Sequence, residues 1–182
     1  MTLTVILQDI KKVETEALVV GFYEDERPLR GLAGELDWLL CGALSDLILQ
    51  HKVRGSLGDV ALLTSRGKVP AQKIFMIGLG PKSGFVPARM RSAARIAASS
   101  ATLAGVGRMA IECFHSSPEP GESDVVEVRA GLTEGAGTLA LDVAVLAPDA
   151  ASYEKILRFA KPGSSGTEKR NHQNAKPAEV LR

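Results

Sequence analysis

The sequence contains few of the residues on which several classes of protein depend. It has two cysteines and one tryptophan among 182 residues, and aromatic residues make up only 4%. Two cysteines cannot form a disulfide framework, and Cys41 and Cys113 each stand in an apolar pattern, so we expect thiols in or near the core and a reducing cytoplasm. The scarcity of aromatic rings argues against a platform on which single-stranded bases stack.

Long hydrophobic runs and an excess of charge are also missing. No apolar run approaches the ~20 residues needed to cross a bilayer, and residues 1–14 resemble a first strand rather than a signal peptide. The net charge of +1 provides no global field to attract nucleic acid or anionic lipid. His51, His115 and His172 lie too far apart to indicate a zinc site. We therefore expect a cytoplasmic protein with no metal, no cofactor and no membrane partner.

What the sequence does contain is an alternation of strand and helix patterns. Short apolar runs predict strands at residues 3–7, 17–23, 59–64, 73–79, 108–114 and 141–147, and helical spacing predicts helices at 35–50, 89–104, 123–138 and 150–159. The link between the third and fourth strands is too short for a crossover helix, so this pair is expected to be antiparallel. The pattern predicts an α/β fold, a three-layer α/β/α sandwich with a mixed sheet of about six strands.

Particular residues indicate how the helices begin and pack. Gly42, in the middle of the first helix, suggests a close contact with another element. An alanine stripe from Ala94 to Ala104 is expected to bring its helix close to the sheet. Ser123 and Asp149 are placed to cap the last two helices.

A glycine-rich loop after the fourth strand is the main candidate for ligand binding. It contains Gly78, Gly80, Lys82, Ser83 and Gly84. Backbone N–H groups, the lysine and the start of the following helix could face a phosphate or another anion. The spacing is not that of a Walker motif or of a dinucleotide fingerprint. A tight turn whose glycines permit close packing explains the same residues without a ligand.

Other polar groups have a functional and a structural interpretation. Arg89, Arg91 and Arg95 form a candidate basic face that could contact phosphate or a partner's carboxylates, or could be the solvent side of a helix. The acidic run at residues 24–26 is flanked by Arg27 and Arg30 and is interpreted as a self-compensated turn. Cys113 and His115 share a strand face, but a structural role is favoured over a nucleophilic pair.

The order of elements resembles a known family. The residues that carry the resemblance are the Gly-x-x-Gly-Asp turn at Gly55–Asp59, the strand and glycines of Ile74–Gly80, and the alanine-rich helix beginning near Arg89. Together they look like the N-terminal domain of the leucyl (cytosol) aminopeptidase family, over Leu3 to Phe159. The resemblance implies a macro-domain-like fold that is not catalytic, contributes to oligomer architecture, and in some members takes part in DNA binding.

The family's catalytic signature, Asn-Thr-Asp-Ala-Glu-Gly-Arg, belongs to a C-terminal domain and does not occur in this sequence. No catalytic or metal-binding residue of the family can therefore be assigned to a position here. We expect a non-catalytic assembly or regulatory domain that is not an enzyme by itself and whose partners are copies of itself or an aminopeptidase catalytic domain. The alternatives are a stand-alone binder of a nucleotide-like or other anionic small molecule through the Gly78–Gly84 loop, and a nucleic-acid-binding module.

The composition changes near the end of the chain. Residues 161–182 are rich in glycine, serine, lysine and asparagine and have almost no apolar residue before Val180. Such a segment buries too little surface to offset the entropy lost on ordering. We expect a domain at residues 1–160, followed by a flexible tail or linker at 161–182.

Overall fold

Six strands form one sheet in the computed structural model, which describes residues 1–83, 86–115 and 120–160. In chain order they are β1 (Thr2–Leu7), β2 (Ala17–Phe22), β3 (Val60–Thr64), β4 (Lys73–Gly78), β5 (Arg108–Glu112) and β6 (Asp142–Ala147). Their spatial order is β1-β6-β5-β2-β4-β3. The mixed six-stranded sheet expected from the sequence is confirmed.

Only one neighbouring pair in the described sheet is antiparallel. Val60 of β3 lies opposite Ile77 of β4, and Thr64 lies opposite Lys73. The other neighbouring pairs run parallel. The predicted antiparallel pairing of the third and fourth strands is therefore confirmed, because a short link can join antiparallel strands but not parallel ones.

Helices cover both faces of the sheet. They are α1 (Gly31–Leu39), α2 (Ala43–Leu49), α3 (Pro87–Leu103), α4 (Glu122–Ala136) and α5 (Ala150–Ala160). The buried residues of α1 and α2 join the core on one face, and those of α3, α4 and α5 join the core on the other. All residues of β2 are buried, as expected for a central strand between two helical layers.

The single helix predicted at residues 35–50 is wrong, because the chain breaks it into α1 and α2. Cys41 and Gly42 take positive φ angles of 55° and 85° between the two helices. The Asp37 carboxylate then accepts the N–H groups of Leu44 (2.9 Å) and Ser45 (3.0 Å) at the start of α2. Among the described residues other than its chain neighbours, no atom lies within 4 Å of a Cβ placed on Gly42, so this glycine serves the backbone turn rather than the close contact we predicted.

The break also changes the surroundings of Cys41. Its thiol is exposed, whereas Cys113 is buried. The expectation of a core or near-core position is therefore wrong for Cys41 and confirmed for Cys113. A residue in a left-handed turn between helices faces away from the core even when its sequence neighbours are apolar.

The alanine stripe of α3 packs against α4 as well as against the sheet. A Cβ placed on Gly131 would overlap the Arg91 carbonyl oxygen, and one placed on Gly135 would lie 2.8 Å from the Ala98 Cβ. The small residues of both helices therefore allow their backbones to touch. The contact with α4 comes in addition to the helix–sheet contact that the stripe predicts.

The predicted caps of the last two helices have different outcomes. Ser123 does not cap α4; the helix is preceded by Gly121, whose N–H donates to the Asp124 carboxylate at 2.8 Å. Asp149 does cap α5, since its carboxylate accepts the Ser152 N–H at 2.7 Å. The predicted tail at residues 161–182 lies outside the described residues.

Candidate functional site

The sheet has a topological switch point between β2 and β5. These strands are parallel neighbours, but the chain leaves β2 through α1 and α2 on one face and leaves β5 toward α4 on the other. The two loops therefore diverge at the carboxyl ends of the strands. In open α/β sheets such a divergence leaves a crevice in which ligands bind.

A cleft of about 450 Å³ opens at this point, and we call it the switch-point cleft. Its walls come from the ends of β2 and β5, the loop that leads into α1, and the loop that follows β4. The lining residues are Gly21, Phe22, Tyr23, Glu26, Leu29, Arg30, Gly31, Ala33, Leu79, Lys82, Glu112, Cys113, Phe114 and His115. Of the predicted loop residues that the structure describes, Lys82 is the one that lines this cleft.

Glu112 stands where the pairing of β2 with β5 ends. The last paired residues are Val19 and Ile111, and beyond them the Gly21 N–H donates to the Glu112 carboxylate at 2.5 Å. A side chain therefore takes the backbone donor that a continued ladder would have used. Burial raises the pKa of Glu112 to about 7, although the hydrogen bond from Gly21 opposes the rise.

Gly21 is needed where it stands because two side chains fill the space beside it. A Cβ at this position would lie 2.8 Å from the Leu79 Cδ1 and 2.9 Å from the Phe114 Cε1. The absence of a side chain at residue 21 therefore lets these apolar groups close over β2 beside the cleft.

Tyr23 and Cys113 are two further cleft residues whose pKa is raised by burial. The Tyr23 hydroxyl donates to the His115 carbonyl oxygen at 2.9 Å, and burial, with Glu112 as the next cause, raises its pKa. Burial also raises the pKa of the Cys113 thiol to about 12. A thiol with a raised pKa is a poor source of thiolate, so these surroundings favour a structural Cys113.

Two of the predicted loop glycines make close contacts with the turn at Gly55. A Cβ on Gly78 would overlap the Ser56 carbonyl oxygen. Gly80 has a φ of 78°, and its N–H donates to the Gly55 carbonyl oxygen at 2.7 Å. These glycines therefore serve packing and turn geometry. Gly84 lies outside the described residues.

The loop at Lys82 and Ser83 does contact an anionic group, and that group is the Asp25 carboxylate of the same chain. The Lys82 N–H donates to the Asp25 carboxylate at 2.8 Å. Hydrogen bonds from the backbone of Lys82, and secondarily of Ser83, lower the pKa of Asp25. The Lys82 ammonium contacts the Glu26 carboxylate at 2.5 Å. A role of this loop in binding an external anion stays a prediction.

The acidic turn at residues 24–26 is compensated, as expected, but mainly by a different cation. Arg30 lies 3.9 Å from Glu26, farther away than Lys82. Arg27 donates instead to backbone carbonyl oxygens, among them that of Tyr23 at 2.7 Å. The cations at the rim of the cleft are therefore already engaged.

The three arginines of the predicted basic face have three different environments. Arg91 pairs with Glu134 and Glu127 of α4. Arg89 has a buried Nη1 atom for which no hydrogen-bond partner occurs among the described residues. Arg95 is exposed and forms no ion pair within the described chain. The proposal that they bind phosphate or a partner's carboxylates stays a prediction.

Neither a metal-binding cluster nor a membrane-spanning helix occurs in the described ranges. In them, no three histidine, cysteine, aspartate or glutamate side chains are grouped so that they could hold a metal ion. Among the same residues, no helix has both the length and the apolar character needed to cross a bilayer.

The sequence did not single out Glu112, the carboxylate that lines the switch-point cleft at the end of β5. The available signal was one charged residue near the carboxyl end of an apolar strand pattern, Arg108–Phe114. Its importance follows only from the strand order, because β2 and β5 are separated in sequence by two strands and three helices. Tyr23 and Arg30 were also missed as cleft residues.

A comparison with protein families matches residues 19–140 to the cytosol aminopeptidase family, N-terminal domain. The chain is similar to a probable cytosol aminopeptidase of Geobacter sulfurreducens, with 30% identity over 135 residues. The match covers 74% of this chain and 27% of that relative. The chain therefore spans about a quarter of the length of this relative.

Solved structures share the fold at lower identity. A mutant of tomato leucine aminopeptidase matches with a TM-score of 0.66 and 18% identity, over 87% of this chain and 35% of that one. The macrodomain of Trypanosoma brucei in complex with ADP-ribose matches with a TM-score of 0.65 and 18% identity, over 85% of this chain and 67% of that one. The macro-domain-like architecture expected from the sequence is confirmed.

Proposed function

Because the chain belongs to the cytosol aminopeptidase family, through the N-terminal domain of that family, we propose that it is a non-catalytic domain of assembly or regulation. It works in the cytoplasm, in contact with its own copies or with an aminopeptidase catalytic domain. The observation that carries the proposal is the family match to the N-terminal domain over residues 19–140. The match to about a quarter of a probable aminopeptidase supports it.

An exposed apolar surface on the α1–α2 side supports an assembly role. Trp38 of α1 is 77% exposed and Leu49 of α2 is 74% exposed. A groove beside Trp38 is lined by Pro28, Leu29 and other residues of the α1 region. Large exposed apolar side chains, tryptophan above all, are enriched where proteins contact one another. The proposed role gives Trp38 a contact that explains its exposure.

Light scattering on a sizing column tests self-assembly. We expect the full chain to form a defined oligomer whose mass falls toward the monomer in Trp38→Ser. Leu139→Ser is the matched control, because Leu139 is 57% exposed but lies in the α4–β6 connection. We propose residues 1–160 as the assembling unit, so a chain that ends at 160 keeps the oligomer mass. A monomer at every concentration would contradict self-assembly.

A peptidase assay tests the absence of catalysis. We expect no hydrolysis of a leucyl-anilide substrate with zinc, manganese or cobalt added to the purified chain. Robust metal-dependent turnover, lost on addition of a chelator, would overturn the proposal of a non-catalytic domain. Oligomer mass measured on the same sample shows that the protein under test is folded and assembled.

The second candidate function is the binding of a nucleotide-like anionic molecule. It is supported by the position of the switch-point cleft and by the fold shared with a macrodomain in complex with ADP-ribose. Against it stand Asp25, which occupies the loop amides, and Glu112 in the cleft. Calorimetric titration with ADP-ribose decides: saturable heat favours this function, and a flat isotherm at high micromolar protein removes it.

A further inference from the structure

The negative charge of Glu112 has no cationic partner in the described part of the chain. Its carboxylate accepts one hydrogen bond, from the Gly21 N–H, and no ion pair is formed by it there. Its second oxygen, Oε2, has no hydrogen bond from any described residue. A carboxylate that lies partly buried in the cleft with one backbone donor is costly to ionise unless a ligand supplies the missing charge.

The titratable and charged groups that share the cleft with Glu112 come from every element around it. Tyr23 follows β2, and Glu26 and Arg30 lie in the loop before α1. Lys82 follows β4, Cys113 and His115 follow β5, and Asp124 of α4 acts on the same Tyr23 and Cys113. Both rim cations, Lys82 and Arg30, are paired with Glu26. Each of these two cations therefore already has a carboxylate partner other than Glu112.

We propose that the switch-point cleft binds a primary ammonium group carried on a small apolar or aromatic body, with Glu112 as its counter-ion. The ammonium group donates to the free Oε2 of Glu112, while the Gly21 N–H keeps the carboxylate oriented. The proposal is independent of the assembly role, because it concerns the carboxyl edge of the sheet rather than the surface around Trp38.

The walls of the cleft suit the rest of such a ligand. Phe22, Leu29, Leu79 and Phe114 line it together with Tyr23. A cavity of about 450 Å³ is in the range of small-molecule sites, which are mostly apolar with a few convergent polar groups. Aromatic rings also favour a nearby cation. An anion would instead meet the Glu112 carboxylate and would have to displace Asp25 or Glu26 from their partners.

The partial burial of Glu112 in the cleft agrees with this assignment. Its raised pKa of about 7 reports a carboxylate that is poorly solvated and not stabilised by a neighbouring cation. An ammonium ligand would lower that pKa, so binding near neutral pH would release a proton from Glu112. Binding should therefore weaken as the pH falls below 7, while the ligand itself keeps its charge.

The test uses three probes of one shape: benzylamine, benzyl alcohol and benzoate, which are cationic, neutral and anionic. Each is titrated into the ¹⁵N-labelled full chain, and the Gly21 amide resonance is followed because that N–H is bonded to Glu112. We expect saturable shifts with benzylamine alone, at an affinity about tenfold or more above that of the alcohol. Equal binding of the alcohol, or stronger binding of benzoate, would overturn the proposal.

Two variants make the test specific to the carboxylate. Glu112→Gln keeps an oxygen that can accept the Gly21 N–H but loses the charge, and we expect benzylamine affinity to fall about tenfold or more. Glu14→Gln, an exposed glutamate before β2 at the opposite edge of the sheet, should bind as the unaltered protein does. Unchanged affinity in Glu112→Gln would contradict the assignment.

Calorimetry of the unaltered protein gives a readout that needs no variant. Benzylamine binding at pH 7 should show an enthalpy that depends on the ionisation enthalpy of the buffer, because a proton leaves Glu112. The same titration at pH 5.5 should give clearly weaker binding. Saturable binding without proton release and without pH dependence would place the amine elsewhere and overturn the role of Glu112.

Discussion

The backbone carbonyl of Arg91 occupies the space that a side chain on Gly131 would need. Helices α3 and α4 therefore meet at backbone contact, with Ala94 and Ala98 of α3 facing Gly131 and Gly135 of α4. The Arg91 side chain also pairs with α4, through Glu134 and Glu127. One residue thus joins the two helices through both its carbonyl and its guanidinium.

This contact predicts that Gly131→Ala destabilises the protein, although alanine has the higher helix propensity. Propensity alone would add up to about 1 kcal/mol, whereas a methyl group forced into a filled contact costs about 1–3 kcal/mol. We expect a net loss in the free energy of unfolding, measured by urea denaturation. Thr133→Ala, an exposed position on the same helix, should change it little. A stabilised Gly131→Ala variant would contradict the close contact.

The two cysteines predict a difference in reactivity. Cys41 is exposed in the turn between α1 and α2, whereas Cys113 is buried and its pKa is raised to about 12. Because the thiolate is the reactive form, iodoacetamide at pH 8 should modify Cys41 readily and Cys113 only after unfolding. Mass spectrometry of the alkylated peptides checks this order, and rapid native labelling of Cys113 would contradict its burial.

The strands and their pairing could be predicted from regular patterns in the sequence, whereas the break between α1 and α2 could not. Strands such as β2 and β4 are continuous apolar runs, and the length of a link decided the antiparallel pairing of β3 with β4. The break between α1 and α2 left no gap in the apolar pattern. It depends on the Asp37 carboxylate, which accepts the N–H groups of Leu44 and Ser45 and so caps α2, a helix that begins within the single helix predicted at residues 35–50.

The candidate site was harder to predict because its parts are far apart in sequence. Asp25 and Lys82 are separated by 57 positions, and Glu112 meets Gly21 across 91. A glycine loop seen in isolation suggests an anion site, since nothing in its own residues reveals that a distant carboxylate occupies its amides. The strand order must be known before Glu112 can be placed beside β2.

The pKa of Glu112 predicts how stability changes with pH. Its value is about 7 in the folded protein against an ordinary 4.5, so the folded state holds the proton more tightly than the unfolded state. Stability from this group is therefore fully present below pH 4.5 and is lost as the pH rises toward 7. Glu112→Gln should remove that loss.

The measurement is urea denaturation of the two proteins at pH 5 and pH 8. We expect Glu112→Gln to be more stable than the unaltered chain at pH 8, by about 1–3 kcal/mol, and the difference to shrink at pH 5. Glu14→Gln serves as the control and should follow the unaltered chain at both values. A Glu112→Gln variant that is less stable at pH 8 would show that the ionised carboxylate stabilises the fold.

The contact between Asp25 and the Lys82 loop predicts a gain of function on its removal. Asp25→Ala would free the Lys82 and Ser83 amides, which now bond to the carboxylate. Freed amides beside the Lys82 ammonium are an anion site, so we expect the variant to bind inorganic phosphate where the unaltered chain does not. Nuclear magnetic resonance shifts of the two amides, followed through a phosphate titration, report the binding.

Glu24→Ala is the control for this change because it removes the same charge at the preceding residue without freeing either amide. If Glu24→Ala gained phosphate binding equally, the effect would come from net charge rather than from the loop. If Asp25→Ala gained none, the loop would be a packing element only, since its amides would then be unable to hold an anion even when unoccupied. A gain restricted to Asp25→Ala would show that Asp25 occupies an anion site formed by this loop.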